Sequence, residues 1–113
     1  MRKTPMYEDH VKLKGKIVDF GGWALPIQYD HLGIKKEHLQ VRSAAGLFDV
    51  SHMGEVWITG EDAAAFIYNL VSNDTSLLRN GQVQYNIMCY PEGGAVDDLL
   101  VYKCSDSRFF LVI

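Results

Sequence analysis

The clearest pattern in the chain is helical. Ala63, Phe66, Ile67, Leu70 and Val71 fall at i, i+3, i+4, i+7 and i+8 and trace one apolar stripe, which predicts an amphipathic helix over 61–71. Glu61 and Asp62 stand at its positive N-terminal end, and Asn73-Asp74 closes it. A second helix is predicted over 31–45. Asp30 is a suitable N-cap, Ile34, His38, Val41 and Ala45 recur at helical spacing, and Gly46 suits the position that ends it. A short polar helix is expected over 6–13, after Thr4-Pro5.

The remaining segments read as extended or irregular. Ile17, Val18 and Phe20 predict a short strand that breaks at Gly21-Gly22. Pro26 rules out a helix through the next stretch, so Trp23 and Tyr29 read as large side chains in irregular chain, capping a core or lining a cleft. Residues 47–53 read as a strand or a strand-to-loop passage, and 54–59 alternates weakly. After a turn at Asn80-Gly81, three strands are predicted over 82–90, 95–104 and 108–113, joined by Pro91-Glu92-Gly93-Gly94 and Ser105-Asp106-Ser107. The fold class is therefore α+β, an antiparallel β-meander with packed helices. The final run, Phe109-Phe110-Leu111-Val112-Ile113, is apolar throughout. Such a strand is normally covered on both faces and would aggregate as an edge, so the chain reads as the N-terminal piece of something longer.

The chemistry concentrates in Gly93-Gly94-Ala95-Val96-Asp97-Asp98-Leu99-Leu100-Val101-Tyr102-Lys103, where two adjacent carboxylates interrupt a strand. Successive side chains point to opposite faces, so whichever face is covered takes one carboxylate with it. A buried carboxylate is costly unless it is paired, hydrogen-bonded or protonated. An even-length hairpin loop sets Ile87 opposite Asp98 and Tyr85 opposite Leu100. Tyr85, Ile87, Val96, Asp98, Leu100 and Tyr102 then share one face, and Asn86, Met88, Asp97, Leu99 and Val101 the other. A three-residue loop with a bulge would exchange the two sets. Two readings follow for Asp98. It is either a structural carboxylate satisfied by backbone, with core tyrosines around it, or an acceptor for a flat heteroaromatic ligand that stacks on the tyrosines.

Composition narrows the alternatives. At 113 residues, 48% hydrophobic and 22% charged, the chain is an ordinary globular sequence. A net charge of −3, with no basic run beyond Arg2-Lys3 and Lys35-Lys36, argues against nonspecific nucleic-acid binding. Cys89 and Cys104 lack ligand or redox spacing and read as reduced, semi-buried thiols. No apolar run approaches the roughly 18 residues of a membrane span, and no targeting segment is apparent, so a cytoplasmic protein is expected. His10, His31, His38 and His52 form no metal-ligand pattern. Ser51-His52 lacks the flanking glycines of a nucleophile elbow, and Gly21-Gly22 and Gly93-Gly94 match no phosphate loop.

Four stretches together resemble a known family: Thr4-Pro5-Met6-Tyr7-Glu8-Asp9-His10, Val18-Asp19-Phe20-Gly21-Gly22-Trp23, Val41 through the phrase Phe48-Asp49-Val50-Ser51-His52-Met53-Gly54, and Gly93-Gly94-Ala95-Val96-Asp97-Asp98-Leu99. In order and spacing they are similar to the aminomethyltransferases, or T-proteins, of the glycine cleavage system. The phrases differ in reach: the one around Phe48-Asp49-Val50-Ser51-His52-Met53 and GGxxDDL recur in folate-dependent dimethylglycine and sarcosine dehydrogenases, whereas TPxYexH with DFGGW is more specific to the T-protein. The resemblance implies a tetrahydrofolate-dependent transferase that takes the aminomethyl group from the lipoyl arm of H-protein. It would release ammonia and yield methylenetetrahydrofolate, with no metal involved.

By the same resemblance Asp98 is the catalytic carboxylate, and Met53, Tyr85, Asp98 and Tyr102 are folate-binding residues; Asp97 is expected to be structural. Asp98 would orient the pterin and stabilise developing positive charge, and would manage a proton if burial raised its pKa. Full T-proteins are several times longer and form a three-domain cloverleaf. Residues of about 1–52 would open the first domain and about 53–113 the second. Two other classes are a non-catalytic folate-binding relative of the iron–sulfur assembly kind, and an interaction fragment with no ligand.

Overall fold

In the computed structural model, which describes residues 1–113, Gly21-Gly22 joins two strands instead of ending one. Both glycines take positive φ (57° and 85°), and the Asp19 carboxylate accepts the Gly22 amide at 2.7 Å, closing a tight hairpin. Its strands are β2 (Gly15–Phe20) and β3 (Trp23–Tyr29), with β1 (Arg2–Lys3) parallel on the far side of β3. Trp23 and Tyr29 therefore belong to a strand and not to irregular chain. Pro26 is tolerated there because β1 pairs only with Trp23 and Ala24, so β3 is already an edge where the proline removes its amide. These elements belong to the first of two compact units, Met1–His52 and Met53–Ile113.

Two helices complete the first unit. The first, α1 (Tyr7–Lys12), lies within the predicted span. The second, α2 (Ile34–Ser43), is shorter than its pattern predicts. Asp30 does not cap it, because the Leu32 and Gly33 amides fold back onto the Tyr29 carbonyl (3.1 and 2.9 Å). The chain then enters the helix through Gly33 at φ 77°, and Ala44 ends it before Gly46. A Glu37 carboxylate oxygen accepts the Tyr29 amide at 2.6 Å and ties α2 to β3. No residue of α2 is buried.

In the second unit β4 (Glu55–Thr59) precedes α3 (Ala63–Leu70), a 3-10 turn (Thr75–Leu77), β5 (Val83–Cys89), β6 (Ala95–Ser105) and β7 (Arg108–Val112). The expected meander is present, but the sheet order is β4-β7-β6-β5, antiparallel throughout. The apolar β7 is consequently an interior strand, flanked by β4 and β6, and it is not an edge. Its Phe109 and Leu111 join Leu99, Val101 and Leu78 beneath Ala63 and Ile67 of α3. The helical stripe is narrower than its periodicity implies. Ala63 and Ile67 are buried while Phe66 is half exposed. No helix is long and apolar enough to cross a membrane.

Because Ile67 is fully enclosed, Ile67→Ala should lower the unfolding free energy by about 2–5 kcal/mol, through lost transfer energy and the cavity left behind. Phe66→Ala should cost no more than ~1 kcal/mol. Urea denaturation of both variants measures the contrast, and equal losses would contradict this seating of α3.

Candidate functional site

The hairpin between β5 and β6 sets the site. Its turn is closed by the Tyr90 amide on the Gly94 carbonyl (2.7 Å) and the Gly93 amide on the Tyr90 carbonyl (2.9 Å), with Gly93 at φ 92°. A bulge between Met88 and Cys89 stays next to the turn, and below it the register is regular. Val83 faces Tyr102, Tyr85 faces Leu100, and Ile87 faces Asp98, the pairing expected of an even loop. The loop is nevertheless odd: Tyr90 closes on Gly94 and Cys89 pairs with Ala95, and the bulge restores the register instead of exchanging the two faces. Leu99 and Val101 are turned under α3. Asp98, Leu100 and Tyr102 thus come to the opposite face of the sheet, which no helix of this unit covers.

On that open face the Tyr85 hydroxyl donates to Asp98 Oδ2 at 2.9 Å. This hydrogen bond, with a smaller contribution from desolvation and from the negative charge itself, holds the Tyr85 phenol above its ordinary value. The row one step along continues from Tyr102 through Phe110 to Trp57, with ring centroids 6.0 and 4.7 Å apart, and the Arg108 guanidinium lies 4.2 Å over the Trp57 ring. The surface is therefore an aromatic and aliphatic floor with a carboxylate at one side. Asp98 Oδ1 carries no protein donor, which leaves it available to a ligand N–H.

Neither carboxylate of the pair is buried. The pairing of β6 with β7 ends at Leu100 opposite Val112, so Asp97 and Asp98 lie past the end of β7 and are both exposed. The burial on which a proton-handling role for Asp98 would rest is absent. Asp97 turns its Oδ1 to the Asp98 amide at 2.9 Å. Met53 is half-buried just before β4, which is separated from β6 by β7. Cys89 and Cys104 are exposed, correcting their reading as semi-buried thiols, because both lie near strand ends clear of α3.

Sequence reasoning missed Trp57 and Phe110 as face-mates of Tyr102. Their placement depends on the pairing of β4 with β7, and the weak alternation of 54–59 gave little sign of it. It also missed a buried cluster in the first unit. The Asp49 side chain, 2% exposed, accepts from Thr4 Oγ1 (2.6 Å), from His10 Nε2 (2.8 Å) and from the Ser51 amide (3.0 Å). His10 Nδ1 lies 2.7 Å from the Tyr29 hydroxyl. Burial by itself would raise the Asp49 carboxyl, but the bonds from Thr4, His10 and Ser51 outweigh it and hold that group well below the usual carboxylate range. Burial, then the charges of Glu37 and Asp49, raises the Tyr29 phenol, the opposite of what an activated nucleophile needs. Ser51 is occupied in this cluster, and His52 packs edge-on against Phe20 (5.6 Å) and Trp23 (6.5 Å), so the two form no nucleophile–base pair.

Comparison with known proteins covers nearly the whole chain. The family described as "GCVT N-terminal domain" matches residues 6–113. An aminomethyltransferase of Bacillus subtilis (strain 168) is 52% identical over 113 residues, which are 100% of this chain and 31% of that protein. One from Thermoanaerobacter sp. (strain X514) is 55% identical over 113 residues, 100% of this chain and 30% of that protein. The crystal structure of glycine cleavage system aminomethyltransferase T from Bartonella henselae superimposes with a TM-score of 0.83 at 39% identity, covering 98% of this chain and 30% of that one. The chain thus spans somewhat under a third of the length of the curated relatives it matches.

The Asp49 cluster sets an acid limit on stability. Its folded-state pKa is depressed, so its contribution is complete above the ordinary carboxyl value of 3.8 and is lost as pH falls below it. Thermal unfolding followed down to about pH 3 should show this loss, and Asp49→Asn should be less stable near neutrality with a flatter acid limb. An unchanged acid limb in Asp49→Asn would contradict the assignment.

Proposed function

The chain belongs to the GCVT N-terminal domain family, and from that premise we propose that it is the opening portion of a tetrahydrofolate-dependent aminomethyltransferase of the glycine cleavage system. In this reading the whole protein is a cytoplasmic enzyme that accepts the aminomethyl group carried on the lipoyl arm of H-protein, releases ammonia and forms methylenetetrahydrofolate. Residues 1–52 and 53–113 are the opening parts of its first and second domains. Asp98 is the catalytic carboxylate, and Met53, Tyr85, Asp98 and Tyr102 contact the folate.

The observation that carries this reading is the Tyr85–Asp98 hydrogen bond on an uncovered, aromatic-lined sheet face. A pterin is a flat heterocycle with ring N–H donors. The floor of Tyr102 and the aliphatic side chains of Leu100 and Ile87 suits its faces, and the carboxylate suits its edge. With Tyr85 holding one carboxylate oxygen, the other is fixed in direction and accepts from the ring. Positive charge develops on the folate nitrogen as it attacks the methylene carbon, and a preoriented carboxylate stabilises it without solvent rearrangement.

Calorimetric titration of 5-formyltetrahydrofolate into the chain tests the binding half of this reading. Binding is expected, and Asp98→Ala should weaken it about tenfold or more, as loss of a charge-assisted bond does. A folded chain that binds equally well with and without the Asp98 carboxylate would overturn the assignment. In the full-length protein, Asp98→Asn should lose most of its transfer from aminomethylated H-protein, and undiminished turnover would refute the catalytic role.

A further inference from the structure

The Tyr85–Asp98 pair stands at two edges of the sheet: beyond β5 there is only the isolated bridge of Val71 with Met88, and β7 stops opposite Leu100, short of Asp98. In an antiparallel ladder, residues of a non-hydrogen-bonded pair turn their backbone groups away from one another. Ile87 is such a residue: its amide donates to Ser72 Oγ at 3.0 Å and its carbonyl accepts the Ser72 amide at 3.0 Å. Asp98, opposite Ile87, must therefore turn its own amide off the other edge, where β7 has already ended. That amide is taken by Asp97 Oδ1 at 2.9 Å. Tyr85, two residues before Ile87, shares its orientation, and its carbonyl accepts from Asn73 Nδ2 at 2.6 Å. Asn73 is itself held, because its amide donates at 2.9 Å to Oδ1 of Asn86, whose side chain is fully buried on the core face.

At both edges, then, a side chain replaces the neighbour that a central strand would supply, and it does so beneath the two residues whose side chains meet. We propose that Asn73 and Asp97 are positioning residues for the Tyr85–Asp98 pair, Asn73 fixing the backbone of Tyr85 and Asp97 fixing the backbone of Asp98. This rests on the reading of that pair as the folate contact. An adjacent carboxylate at 97 then has a local task that a strand-forming apolar residue would not perform. The amide of Asp98 would otherwise face water, and the segment would be free to twist about its one remaining ladder.

The test uses NMR of the chain with ring-labelled tyrosine, Tyr85→Phe assigning the Tyr85 signal, beside titration with 5-formyltetrahydrofolate. Asp97→Ala and Asn73→Ala should bring the Tyr85 phenol down toward its ordinary titration and weaken the ligand about fivefold, while leaving the cooperative thermal transition in place. Asp97→Asn removes the charge but keeps a carbonyl acceptor, so it should retain both the Tyr85 titration and the affinity. That separates the hydrogen bond from the electrostatics of a second carboxylate. Asn73→Asp, the same size without the donor, serves if Asn73→Ala fails to fold.

Alanine variants that leave both readouts unchanged would overturn the proposal, as would an Asp97→Asn variant as impaired as Asp97→Ala. The Tyr85 titration decides the matter even if the chain takes up no folate. In that event the failure belongs to the functional reading and not to the positioning roles.

Discussion

The period-two alternation of β6 is the constraint from which the second unit follows. Burying Leu99 and Val101 under Ile67 obliges Asp98, Leu100 and Tyr102 to face the other way. A register slip of one residue would drive Asp98 toward the apolar core and expose Leu99, at a cost of several kilocalories per mole from the carboxylate alone. The hairpin turn confines its bulge to Met88 and Cys89, next to the loop, and keeps every pair below it in step. Tyr85 is thereby delivered opposite Leu100 and within hydrogen-bond reach of Asp98. Packing on one face thus selects the chemistry of the other. The face without a helix is the one that gathers a carboxylate, a phenol and a row of aromatic rings.

What was legible in the sequence was local. The strands of 82–113 are consecutive and joined by short turns, so alternation placed Tyr85, Ile87, Asp98, Leu100 and Tyr102 together. The loop, however, is three residues long, and it is the bulge at Met88 and Cys89 that restores the expected register. The less legible features depend on distant pairing or on the ends of elements. β7 is an interior strand because Glu55 to Thr59 returns to pair with it, which nothing within 108–113 announces. The exposure of Asp97 and Asp98 follows from a length mismatch, an 11-residue β6 beside a 5-residue β7, and alternation says nothing about where a neighbour stops. Pro26 hid a strand because its missing amide falls beyond the reach of β1. Asp30 imitated a helix cap that the positive φ of Gly33 in fact supplies by a change of backbone direction. The roles of Met53, Tyr85, Asp98 and Tyr102 came from the family resemblance, and the spacing by itself left a structural Asp98 open.

The first unit illustrates a different limit. Thr4, His10 and Asp49 are unremarkable one at a time, and their meaning lies in convergence across more than forty positions of chain. A buried carboxylate with three donors is a stable arrangement because both oxygens are answered, whereas removal of one donor leaves a desolvated charge underpaired. The cluster ties the N-terminal helix and the segment after α2 into one unit. The phrases around Thr4–His10 and around Asp49 therefore act together. Their chemistry is that of a fastening, since the phenol it touches is made less acidic and no nucleophile is free within it.

The most direct measurement is amide and side-chain chemical-shift mapping of the chain during titration with 5-formyltetrahydrofolate. Perturbations centred on Tyr85, Asp98, Leu100 and Tyr102, with α3 and its core partners Leu99 and Val101 little changed, are what the account predicts. Perturbations centred on α3, or on the Asp49 cluster, with the Tyr85–Asp98 pair unmoved, would contradict it.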